Sequence, residues 1–178
     1  MAKINVTDTV SHPRELVFTT FRDNLDDLDD HMPDIDSITT EEREEIDDDT
    51  TKIVRIWKAH DEEIPTMAKK FIKPEMLQWT DTATWNEDDW TCDWEIEIGF
   101  LSDAISCRGS NRYVAKGDDA VEIIIDGDLE VDAKQIPGVP RMLAGRVGKA
   151  VEGFVVKMIT PNLKDVNRGL ERYLAAQQ

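Results

Sequence analysis

Basic residues are scarce in this 178-residue chain: 21 Lys and Arg stand against 38 Asp and Glu, for a net charge of −17. Non-specific binding to a phosphate backbone needs a basic surface, so this balance argues against a general nucleic-acid binder. Cysteine is almost absent as well. Cys92 and Cys107 are the only two; neither stands in a CxxC pair or at metal spacing from a histidine. Both read as small apolar strand residues in a reducing compartment. No apolar run approaches the roughly 20 residues needed to cross a bilayer. The opening Met1–Val6 lacks a basic-then-apolar leader, so a cytoplasmic protein is expected. The GxSxG, HExxH, P-loop and GxGxxG motifs are missing. The three histidines, His12, His31 and His60, fall in loops or at element ends. No catalytic residue, metal site or cofactor is therefore assigned.

What is present is the material of a globular core. Hydrophobic residues make up 40% of the chain and five are tryptophan. At this length one domain spanning residues 1–178 would bury roughly 70% of the surface of the unfolded chain. Charge is segregated: residues 1–133 carry a net −22 and residues 134–178 a net +5. The densest acidic stretch, Asp23–Asp49, has Arg43 as its only base. It lacks the glycine and ligand spacing of a calcium loop and reads as a solvated acidic face.

Alternation dominates the first three quarters. Residues 3–10 read as a strand, and Ser11 and Pro13 open a helix with Leu16, Val17, Phe18 and Phe21 on its apolar face. A second short helix over Leu25–His31 is stopped by Pro33. Strands follow over Thr51–Ala59, Met76–Trp85, Trp90–Phe100, Ala104–Ala115 and Asp119–Asp132. Short polar turns between them fit antiparallel neighbours. Beyond Pro140 the period changes: Leu143, Val147, Val151, Phe154 and Met158, then Val166, Leu170, Tyr173 and Leu174 mark a long amphipathic helix. Pro161 inside it predicts a kink or break.

One strand, two short helices, a run of strands and a long closing helix specify an α+β helix-grip fold, a curved antiparallel sheet of about six to seven strands wrapped around the C-terminal helix. In this order of elements the chain resembles the START-like (Bet v 1-like) superfamily over nearly its whole length, as a bacterial or archaeal member. Ser11–Val17, Trp57-Lys58-Ala59, Ile64–Ile72 and the length of the tail helix are similar to PRELI-like phospholipid-transfer proteins. Pro161 and the acidic surface depart from that pattern.

The resemblance implies a ligand cavity between sheet and helix. Its walls would be Trp57, Trp79, Trp85, Trp94, Ile96, Ile98, Phe100, Ile123 and Ile125, facing Val147, Val151, Phe154 and Met158. Ile64, Met67, Phe71 and Ile72 would form a lid, and Lys69, Lys70 and Lys73 beside them suit a transient membrane contact. Arg55, Arg108, Arg112 and Tyr113 are the candidates for holding a headgroup. The expected function is binding or transport of a hydrophobic small molecule, a lipid first. A cavity enzyme of the polyketide cyclase/dehydratase type and an acidic protein-docking module are the alternatives. Carriage ranks ahead of catalysis.

Overall fold

The computed structural model describes residues 1–60 and 77–178, apart from the side chains of Phe100, Phe154, Val155 and residues 157–162. Strand β1 (Ala2–Val10) leads into helix α1 (Arg14–Asn24) and a 3-10 helix over Leu25–His31. Six strands follow: β2 (Ile35–Glu45), β3 (Thr50–Ala59), β4 (Gln78–Asn86), β5 (Thr91–Glu97), β6 (Ile105–Ala115) and β7 (Val121–Val131). Helix α2 (Ala144–Ala176) closes the chain. The seven strands form one sheet in the order β1-β7-β6-β5-β4-β3-β2, every pair antiparallel. This is the helix-grip arrangement, with α2 across the inner face.

Register converts the sequence alternation into rows of side chains across that face. One row runs Thr51, Trp85, Cys92, Asn111, Ile125, Val6; the next Ile53, Ala83, Trp94, Gly109, Gly127, Ile4; the next Arg55, Asp81, Ile96, Cys107, Leu129, Ala2. Trp57 pairs with Trp79 beyond them. The glycines in the second row have a packing reason. A Cβ on Gly109 would come within 2.5 Å of Trp94 Cζ2, and one on Gly127 within 2.9 Å of Cη2. The Trp94 ring thus lies over two residues without side chains, and its indole N–H donates to Asn111 Oδ1 at 2.8 Å.

The strand limits differ from the sequence pattern in two places. Trp90 has φ 56° and belongs to the turn before β5. Its left-handed backbone, uncommon for a large side chain, is held by edge-on packing against Phe18 at 5.2 Å and by Arg14 stacked on the ring. At the other end β5 stops at Glu97, and Phe100 falls in a 3-10 turn over Gly99–Leu101. Helix α2 runs unbroken from Ala144 to Ala176, so Pro161 does not divide it.

The acidic stretch is also more than a solvated face. Part of it becomes β2, an edge strand whose exposed run Glu41–Glu45 resists pairing with another sheet. Part of it holds the 3-10 helix down: Asp26 accepts from Thr40 N at 2.6 Å and Oγ1 at 2.8 Å, and Asp29 from Ile38 N at 3.3 Å. No helix among the described residues is long and apolar enough to cross a membrane.

Candidate functional site

The two ends of the inner face differ in how completely they are filled. Towards α1, Phe18 is fully buried and meets Trp85, Trp90 and Tyr113 edge to face at 5.2–5.3 Å. Val10, Val17, Val121 and Ile123 complete this layer, each buried. Towards the start of β4 the wall is only half covered. Trp79, Trp94, Ile96 and Ile98 are half-buried, as are Val151, Val156, Leu163 and Val166 of α2. Trp57, buried beneath, stacks on Trp79 at 5.8 Å. Sheet and helix thus each carry apolar side chains that are only partly covered.

Polar groups interrupt this wall at one row. Arg55 is 3% exposed. Its Nε donates to Asp26 Oδ1 at 2.9 Å and to Thr40 Oγ1 at 3.1 Å, and Nη2 donates to the Arg22 carbonyl at 2.5 Å. Asp81 lies opposite Arg55 on β4. Burial pushes its carboxyl up to about 6, against the pull of the Arg55 charge and the Trp57 indole N–H. Its Oδ1 and Trp57 Nε1 are both buried without a hydrogen-bond partner among the described residues. The thiols of Cys92 and Cys107 are buried and pushed up, Cys107 to about 11, which makes both poor nucleophiles.

The structure sorts the expected site residues into four groups. Trp57, Trp79, Trp94, Ile96, Ile98 and Val151 gather at the open end, with Val147 half-buried near the start of α2. Trp85, Ile123, Ile125 and Tyr113 also face inward but lie within the packed core. The side chains of Phe100, Phe154 and Met158, and the whole segment with Ile64, Met67, Phe71 and Ile72, lie outside the described residues.

The fourth group is a correction. Arg108 and Arg112 are exposed and, at even positions of β6, project from the outer face; Arg112 pairs there with Asp126 at 3.6 Å. Alternation places them opposite Cys107 and Tyr113, so neither can hold a headgroup inside. Arg108 lines an outer groove of about 750 Å³ with Lys3, Asp93, Glu95, Asp126 and Asp128. Lys3 and Asp128 pair within it, so its charges are partly self-neutralised. Asp81 is not among the expected residues. Its signal is present in the sequence, since it stands between Trp79 and Ala83 on the inward stripe.

This sheet and its grip on α2 define a helix-grip fold like that of START-like (Bet v 1-like) proteins. Solved structures share the fold at low identity. The protein TTHA0849 from Thermus thermophilus is 15% identical with TM-score 0.66, over 99% of this chain and 100% of its own. The Zhui aromatase/cyclase from Streptomyces sp. R1128 is 14% identical with TM-score 0.63, over 97% and 95%. A START superfamily protein from Mycobacterium smegmatis is 13% identical with TM-score 0.57, over 99% of each chain. No curated protein matches the chain in sequence. More particularly, residues 5–174 match the family described as "Protein of unknown function (DUF2505)", and the chain belongs to it.

Proposed function

We propose that the protein binds and carries a hydrophobic small molecule, a lipid in the first instance, between the open end of the sheet and α2. The observation that carries this reading is that Trp79, Trp94, Ile96 and Ile98 of the sheet and Val151, Val156, Leu163 and Val166 of α2 are apolar and only partly covered. Covering such a wall with a ligand yields roughly 25 cal/mol for each Å² of apolar surface removed from water. The Nε and Nη2 of Arg55 are engaged by Asp26, Thr40 and the Arg22 carbonyl, so that residue gives little support for anchoring an anionic headgroup. Native mass spectrometry of the purified protein, followed by solvent extraction, tests the proposal. A one-to-one apolar adduct is expected; a bare chain that also fails to take up added lipid overturns it.

A cavity enzyme is the second reading, and Asp81 is the observation that favours it. A carboxyl with a pKa of about 6 on an apolar wall can exchange a proton near neutral pH. The name of the Zhui aromatase/cyclase supports testing aromatic polyketides as substrates. Turnover abolished by Asp81→Asn would establish this reading over carriage.

A further inference from the structure

We infer that Asp81 and Trp57 together form the polar anchor of the site and select a neutral apolar ligand that carries a hydroxyl group. The inference rests on the ligand-binding reading above. Asp81 Oδ1 is an acceptor and Trp57 Nε1 a donor, and both are buried unpaired among the described residues. They lie on adjacent strands, close enough for the indole N–H to act on the carboxyl without a hydrogen bond of good geometry. Leaving either group unpaired is costly, so a partner that satisfies both is strongly favoured. A hydroxyl donates one hydrogen bond and accepts others, which matches this pair. A carboxylate or phosphate ligand would bring a second negative charge against Asp81, while the Arg55 guanidinium is engaged by Asp26, Thr40 and the Arg22 carbonyl.

The test compares 1-dodecanol, methyl dodecyl ether and dodecanoate by displacement of a fluorescent apolar probe at pH 7.5. The alcohol is expected to bind about tenfold or more tightly than the ether, and dodecanoate more weakly than both. Asp81→Leu and Trp57→Phe should each remove the alcohol's advantage, read as the ratio of alcohol to ether affinity within the same variant, which should fall to about one. If the ether binds and the alcohol binds no better, or dodecanoate binds best, the anchor is wrong and the apolar site stands. Binding of none of the three overturns both readings. Direct closure of an Asp81–Trp57 hydrogen bond would show as equal alcohol and ether affinity in the wild type.

A separate surface carries a second inference, which we draw independently: the loop into α2 docks on an anionic lipid bilayer. Between Asp132 and Glu152 the chain has four bases, Lys134, Arg141, Arg146 and Lys149, and no acid. All four are exposed, and none is ion-paired among the described residues. Among them stand Met142, 96% exposed, and Leu143, 47% exposed. A chain of net −17 is repelled as a whole by anionic lipid, so charge complementarity favours a tip that carries four bases and no acid. Exposed apolar side chains beside bases are the pattern that enters a headgroup layer. The tip follows β7, at the end of the sheet where β3 finishes and β4 begins, so docking would bring the half-covered wall to the bilayer.

Flotation with phosphatidylglycerol–phosphatidylcholine vesicles, against phosphatidylcholine alone, reads this directly. Binding to the anionic vesicles is expected to fall at least fivefold in Arg141→Glu/Arg146→Glu and in Met142→Ser/Leu143→Ser. No preference for anionic vesicles overturns it. So does loss with the charge variant alone, which would point to an acidic protein partner.

Discussion

The inner face has two ends made from the same kinds of residue, and comparing them shows what separates a core from a site. At the α1 end, Phe18 sits among Trp85, Trp90 and Tyr113, and α1 supplies a fitted plug for the aromatic layer. At the β4 end, Trp57 and Trp79 stack on each other, and the described apolar residues of α2 that are only partly covered include Val151, Val156, Leu163 and Val166. Aromatic content is therefore not what separates the ends, since both have it; the difference is how completely the rings are covered, Phe18 and Trp85 being buried and Trp79 only partly so. Truncation breaks the comparison most sharply. Phe18→Ala should cost about 3–5 kcal/mol of stability, the range for a buried aromatic. Trp79→Ala should cost about 1–2 kcal/mol because the ring is already partly exposed, and weaken uptake of apolar ligand. Urea unfolding of both variants checks this, and equal losses would make the open end ordinary core.

Between the two ends, Trp94 lying over Gly109 and Gly127 forms a partition. Gly127→Ala places a methyl against the Trp94 ring and near the Arg108 carbonyl, and should destabilise by about 1–3 kcal/mol. A smaller ring should restore part of that loss. The double variant Gly127→Ala/Trp94→Phe is expected to be more stable than the sum of the single changes predicts, by at least about 0.5 kcal/mol in a double-mutant cycle. Additive losses would mean that the Arg108 carbonyl, not Trp94, is the obstacle.

The partition also marks how far the sequence can be read. Strand β5 alternates cleanly because one face meets water, and Cys92, Trp94 and Ile96 are legible as inward-facing from Thr91–Ile98 alone. Strand β3 is not legible in that way. Val54 and Ile56 on its outer face are as apolar as Ile53 and Trp57 on its inner face, so the pattern does not show which side Arg55 takes. Arg108 and Arg112 are candidates for a headgroup contact in the sequence, and their parity, opposite to that of Cys107 and Tyr113, places them on the outer face. Asp81 escapes notice because β4 is rich in threonine and a polar residue there stands out little. Its pairing with Arg55, and the role of Asp26 in holding that arginine, depend on register between distant segments, which local pattern does not encode.

Asp81 gives the comparison a pH dependence. Its folded pKa of about 6 lies above the ordinary carboxylate value of 3.8. The folded state therefore holds its proton more tightly, and that contribution to stability is full below about pH 4 and lost as pH rises through about 6. Asp81→Asn should remove the loss and make the protein about 1–2 kcal/mol more stable at pH 8 relative to wild type than at pH 4, a discount being made for residual solvation of the carboxyl. Thermal melts of the two proteins at both pH values read the difference. A variant that is no more stable at pH 8 than at pH 4, relative to wild type, would show that Asp81 is well solvated.

The smallest effect belongs at the packed end, where α2 is tied to β1. Arg168 Nη2 donates to Asp8 Oδ2 at 2.5 Å and to the Thr9 carbonyl at 3.2 Å, and Asn167 Nδ2 reaches the same Asp8 oxygen at 3.0 Å. Burial would raise the Asp8 carboxyl, but the hydrogen bonds from Asn167 and Arg168 and the guanidinium charge outweigh it and hold the pKa below the usual value. This stabilisation is present above about pH 4 and lost as acid protonates Asp8. Arg168 is 39% exposed, so Arg168→Ala should cost only about 0.5–1 kcal/mol at pH 7, less in high salt, and almost nothing at about pH 2.5. Affinity for an apolar probe should not move, because the tie ends on β1, which β7, β6 and β5 separate from β4 in the sheet. A change in affinity would mean that anchoring the end of the helix sets the width of the cleft, and the two ends would then act as one mechanical unit.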